Sequence, residues 1–208
     1  MVNMNAGESA EAPAERLSER ELGGASNVFV LAPTLSDDAR ESYYGTLFPD
    51  DTSTVDLLAV DYRRPPDQYL DELRRFAGGP PDRCGIICVG ETTRSSGDGG
   101  MSPGAVACVD DPMDLTGVGL KIGRYLETHG RAETVVSFDS VTVLLQYVDT
   151  RRAFRFLHAI GNRVRAVDAT AHYHVDPNAH ENRVLATLSS LFDAVARFDD
   201  GEWNVRRR

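Results

Sequence analysis

The sequence predicts an α/β domain with a mostly parallel central sheet and helices on both faces. Two observations carry this. Fully apolar runs of four to six residues alternate with longer segments of helical periodicity, and strands apolar throughout belong in sheets buried on both sides. The length of 208 residues suits one substantial domain. With 41% hydrophobic and 26% charged residues, the composition is that of a folded globule.

Residues 1–24, rich in Ala, Glu, Ser and Gly, read as a disordered acidic tail. Order is expected from Asn27, within a domain spanning 25–200. Asn27–Ala32 reads as a buried strand stopped by Pro33, and Asp37–Leu47 as a helix with Ala39, Tyr43 and Leu47 four apart. Val55–Val60 is the next strand. Pro65–Ala77 is a helix that opens on two prolines and stops at Gly78-Gly79. Cys84–Val89 is a third strand, followed by a glycine- and serine-rich loop over 91–102.

Ala105–Val109 reads as a short strand and Asp114–Thr128 as a helix with Val118, Ile122 and Leu126 on one face. Thr134–Phe138 is a buried strand, Thr150–Val164 a helix, Ala166–Tyr173 a strand and Asn178–Phe192 a helix. Ala194–Phe198, the Asp200-Gly201 turn and Trp203–Arg206 close the chain as a hairpin, with a basic tail within 201–208.

Asp and Glu total 32 against 22 for Lys and Arg, a net charge of -10, and Lys121 is the only lysine. An acidic, lysine-poor, arginine-bearing surface is expected of a protein held in molar salt, which points to a halophilic archaeal cytosol. The excess of acid argues against nucleic-acid binding. No apolar run is long enough to span a membrane, and the N-terminus lacks an apolar signal core, so a cytoplasmic location is expected. Cys84, Cys88 and Cys108 lack metal or redox spacing and read as reduced core thiols.

The segment Thr134–Asp149, TVVSFDSVTVLLQYVD, is an apolar run entering Asp139, then Ser140 and a second apolar stretch. It resembles the Walker B segment of KaiC-like members of the RecA superfamily, and the likeness extends over about 134–200. The resemblance implies a three-layer RecA-like fold, with Asp139 standing where an aspartate orients ATP-bound magnesium. It also implies side-by-side association, so a protein partner or a homo-oligomer is expected.

Two departures imply lost catalysis. A working phosphate loop needs glycines, a lysine and a Ser/Thr after the first strand. This chain reads Ala32-Pro33-Thr34-Leu35-Ser36-Asp37-Asp38-Ala39-Arg40, without glycine or lysine. Thr34, Ser36, Asp37 and Asp38 form a degenerate loop whose own carboxylates are expected to fill the anion site. Two like charges at ~4 Å repel by about 4 kcal/mol at an effective dielectric of about 20. The helix is expected to carry Arg40 past the loop. Where KaiC-like ATPases carry adjacent glutamates, Val60-Asp61-Tyr62-Arg63-Arg64 offers Asp61 alone as a candidate base.

These readings predict a catalytically degenerate RecA/KaiC-like protein, a regulatory or scaffolding interaction module without a resident cofactor. One alternative is an atypical Mg-dependent ATP-binding protein using Asp139 and Asp61. The other is a metal protein. Ala171–His180, AHYHVDPNAH, places His172 and His174 on one strand face, with Asp176 and His180 following, donors suited to a divalent transition metal.

Overall fold

The computed structural model describes residues 22–34, 36–49, 54–90 and 104–208. The strands are β1 (Asn27–Leu31), β2 (Asp56–Asp61), β3 (Arg83–Val89), β4 (Val106–Val109), β5 (Thr134–Asp139), β6 (Thr170–Val175), β7 (Ala194–Asp199) and β8 (Glu202–Arg207). The helices are α1 (Asp37–Thr46), α2 (Pro66–Phe76), α3 (Leu115–His129), α4 (Val141–Tyr147), α5 (Thr150–Ala166) and α6 (Asn182–Ser189). The strands form one sheet in the order β4-β3-β2-β5-β6-β1-β7-β8. All its pairings are parallel except that of β7 with β8.

The two-residue period of the strands divides the core into two layers. Phe29, Leu31, Leu58 and Val60 face α3, α4, α5 and α6, among Val118, Ile122, Leu144, Leu157 and Leu188. Val28, Val30, Leu57 and Ala59 face α1 and α2, among Tyr43, Tyr44, Tyr69 and Leu73. This is the three-layer α/β architecture expected from the sequence.

Several boundaries differ from the sequence reading, each for a local reason. The stretch after Asp139 is helical, because the Ser140 side chain accepts from the Val143 N–H and starts α4. Helix α5 runs on to Ala166, and Asp168 turns the chain at φ 56, so β6 begins at Thr170 and not at Ala166. Residues 177–179 form one 3-10 turn capped by Asp176, which delays α6 to Asn182. The closing strand runs over Glu202–Arg207, one residue longer at each end than expected, and the Arg208 N–H donates to the Asp193 carbonyl. The expected 91–102 loop and residues 1–21 of the tail lie outside the described residues; Leu22, the first described residue, packs against the α1/α2 layer.

At the N-terminal edge of the sheet, Asp56 is fully buried and its Oδ1 accepts from the Tyr125 hydroxyl, while Arg83 and Arg131 stand 3.7 and 3.8 Å from Oδ2. Gly85 makes room for this contact, since a Cβ there would lie 2.7 Å from the Tyr125 ring. Tyr125→Phe leaves a buried carboxylate short of its donor, and unfolding in urea should show a loss of about 1.5–3 kcal/mol.

Candidate functional site

Strands β1 and β6 are neighbours, yet β1 runs into α1 on one face and β6 leads to α6 on the other. Such a reversal opens a crevice beyond the strand C-termini, where ligands of open α/β sheets bind. Asp61, Asp139 and His174 lie in one register row across β2, β5 and β6 at this edge.

The crevice is occupied by the protein's own charges. Arg64, in the turn after β2, donates from Nη2 to Asp61 Oδ2 and Asp139 Oδ2, both at 2.7 Å, and from Nη1 to Glu72 of α2. Its Nε also donates to Asp61 at 2.9 Å, and the guanidinium lies 5.0 Å over the Tyr69 ring. Arg63 stands 3.5 Å from Asp139 Oδ1. Three arginines, Arg40, Arg63 and Arg64, thereby balance three carboxylates, Asp61, Glu72 and Asp139. The room left among them is about 50 Å³. Ligand pockets usually measure ~300 Å³ or more.

Burial sets the ionisation of the group. Asp61 is pushed up to about 6 by burial and by the Asp139 charge, against the pull of Arg64. Burial also works against the Asp139 carboxylate, but Arg63 and Arg64 outweigh it and hold Asp139 below the usual carboxylate range. For Arg64 burial disfavours the charge, and Asp139, Asp61 and Glu72 overcome it, so the guanidinium stays charged.

The site residues expected from the sequence fall into three groups. Asp61 and Asp139 come together, but neither carboxylate is open. Asp61 Oδ1 accepts the backbone N–H groups of Arg63 and Arg64 while Oδ2 holds the Arg64 side chain, so a base role has no free lone pair in this arrangement.

The loop after β1 corrects two expectations. Ser36 caps α1 by accepting from the Ala39 N–H, whereas Asp37 and Asp38 are exposed and do not line the cavity. Asp37 pairs outward with Arg40 and Arg75. Its first-turn position turns it to solvent, so Asp37 and Asp38 do not fill the anion site. Arg40 does not pass the loop either. It folds back, donating from Nη2 to the Thr34 carbonyl at 2.6 Å and standing 3.4 Å from Glu72. The Thr34 N–H donates to Asp176 Oδ2 at 2.9 Å, so it is already taken within the protein.

The histidines share a strand face without forming a metal centre. His172 and His174 both meet the Tyr43 ring, and His172 Nδ1 lies 2.9 Å from the Tyr43 hydroxyl. Asp176 is spent on Thr34 and Asn178, and His180 turns to Thr142 at the start of α4. Among the described residues no three His, Cys, Asp or Glu side chains come together as a metal-binding group.

Arg64, Glu72, Tyr43 and Tyr69 escaped sequence reasoning. The available signal was the Arg63-Arg64 pair directly after a strand-end aspartate, which places two cations where buried carboxylates need them.

The sequence matches the model of the family of unknown function DUF7504 over residues 24–198. The chain belongs to that family. No curated protein matches it. Among solved structures, this DUF7504 member is similar to the Pyrococcus horikoshii OT3 protein studied as PH0250, with a TM-score of 0.57 and 12% identity over 88% of this chain and 86% of the other. It is also similar to the flagellar accessory protein FlaH of Methanocaldococcus jannaschii, with a TM-score of 0.50 and 13% identity over 90% of this chain and 80% of the other. At such identities the likeness shows the fold alone, and that fold is RecA-like. No helix among the described residues is long and apolar enough to cross a membrane.

Proposed function

We propose that this DUF7504 protein is a catalytically degenerate RecA/KaiC-like module that acts through protein contacts, as a regulator or scaffold in a halophilic archaeal cytosol. The observation that carries the reading is the Arg64 network. It sits at the strand edge where a RecA-like ATPase would hold nucleotide and magnesium, and it leaves about 50 Å³ open. Asp139, in the place of a magnesium-orienting aspartate, is paired to Arg63 and Arg64. The Thr34 N–H, in the place of a phosphate donor, is taken by Asp176. Binding ATP there would mean breaking a buried ion-pair group and leaving its carboxylates facing phosphates.

A hydrolysis assay tests this with the full chain in about 2 M KCl and millimolar Mg·ATP. The expected result is phosphate release no faster than in buffer. Release that Asp139→Asn abolishes would make the protein an atypical ATPase and sink the proposal.

A further inference from the structure

The cations of this acidic protein are unevenly placed. Residues 1–148 hold 12 basic residues against 24 acidic ones, whereas residues 149–208 hold 10 against 8. Helix α5 alone carries five arginines and no acid. Arginines of this protein are commonly held by carboxylates, as Arg40, Arg64, Arg75 and Arg131 are, and as Arg165 of α5 is by Asp193 at 2.9 Å. Arg151, Arg152, Arg155 and Arg183 are exposed, with no ion-pair partner among the described residues. Arg151 and Arg155 are like charges four apart on the helix, an arrangement that works against the helix itself.

Arg151, Arg155 and Arg183 wall a groove with Phe154 and Val184 in its floor. One part, about 480 Å³, lies between Arg151, Arg155 and Arg183, with Phe154 and Val184 beneath. A second, about 440 Å³, shares Phe154 and Arg155 and continues to His158, Arg165 and Leu191. From Arg151 to Arg165 the groove follows roughly 21 Å of helix, the length of about four helical turns.

We infer that the α5–α6 groove binds an acidic amphipathic segment of another protein chain, its carboxylates on the arginines and its apolar side chains on Phe154 and Val184. Guanidinium groups suit carboxylates because they donate in pairs, and a partly apolar setting strengthens those bonds. A helix lying in a groove by its apolar side chains is a common recognition mode. Nucleic acid fits less well: Phe154 is packed against the core, and the one other ring in the groove lining is the His158 imidazole, which makes a poor platform for successive stacked bases. The chain's own residues 1–21 also fit less well, because Leu22 packs on the α1/α2 layer, across the sheet from α5 and α6. The inference deepens the protein-contact reading by naming the partner's chemistry, and it concerns a surface that the hydrolysis assay does not probe.

The test uses a fluorescein-labelled 18-residue helical peptide with glutamates on one face and leucines on the other, titrated with the full chain and followed by anisotropy. Saturable binding is expected, weakened at least tenfold by the Arg151→Glu/Arg155→Glu double substitution. Lys121→Glu/Arg124→Glu on α3 makes the same charge change on another helix and should leave binding unchanged. Phe154→Ala should weaken it at least threefold with the melting temperature still cooperative. No saturable binding by the wild type, equal losses in both double variants, or tighter binding of a thymidine oligonucleotide would each overturn the inference. So would a tenfold gain in peptide affinity on removing residues 1–21, which would make that segment the occupant.

Discussion

Arg64→Ala should destabilise the protein by about 3–5 kcal/mol at neutral pH, because it strips the shared cation from three buried or half-buried carboxylates. For a chain of this size that is a drop in melting temperature of about 10 °C. Screening by salt should recover little, since the pairs lie inside the crevice. Arg64→Lys keeps the charge but loses the fork that reaches Asp61, Glu72 and Asp139 together, and should fall between wild type and Ala. The sign of the pH dependence follows from the carboxylates. Without Arg64 the proton affinities of Asp61 and Asp139 rise, Asp61 from a value already above the unfolded one and Asp139 from one below it, so the variant regains stability relative to wild type as pH falls. The gap between the two should therefore be smaller at pH 5 than at pH 7.5. A cost under about 1 kcal/mol at both pH values would mean that the ion pairs are spectators.

The second large effect belongs to His172, which is only 2% exposed and bonded to the Tyr43 hydroxyl. Burial, then the neighbouring His174, pushes it down to about 3. Its folded value lies below the unfolded value of about 6.5, so the unfolded chain binds more protons between those limits. The corresponding stability is fully present above the unfolded value and is lost as pH falls. By pH 5 the loss should reach about 2 kcal/mol. His174, lowered by burial, and Asp139, held low by Arg63 and Arg64, act in the same direction. Asp61, raised to about 6, acts oppositely: its contribution is lost as pH rises from its unfolded value through 6. His172→Asn is expected to be less stable at pH 7.5 but to lose about 2 kcal/mol less than wild type on going to pH 5. Melting curves at the two pH values check this, and parallel pH profiles would contradict it.

Strands β1, β2, β3 and β5 were legible because each is built on an apolar run that the fold buries on both faces, whereas β7 and β8 were legible from the Asp200-Gly201 turn between them. Helix α4 was not, since Val141-Thr142-Val143 is β-branched and its helicity rests on the Ser140 cap. The site was legible in part. Strand ends placed Asp61 and Asp139 at one edge, and the missing glycines and lysine were visible in the loop after β1. Which charges occupy the crevice was not, because the sequence does not fix side-chain direction across elements: Asp37 sits nearest the loop in sequence and faces solvent, whereas Glu72 arrives from α2 and Arg64 from the turn after β2. The paired histidines share a strand face as their spacing requires, but their neighbour there is Tyr43 of α1, which spacing along β6 cannot reveal.

The most direct test of the occupied crevice is a thermal melt of the wild-type chain in about 2 M KCl, with and without millimolar Mg·ATP. A ligand present at 100 times its dissociation constant adds roughly 2.7 kcal/mol to stability. With Arg64 holding Asp61, Glu72 and Asp139, the two curves should superimpose. A clear upward shift with Mg·ATP would contradict the account, because it would mean that the Arg64 network opens to admit nucleotide.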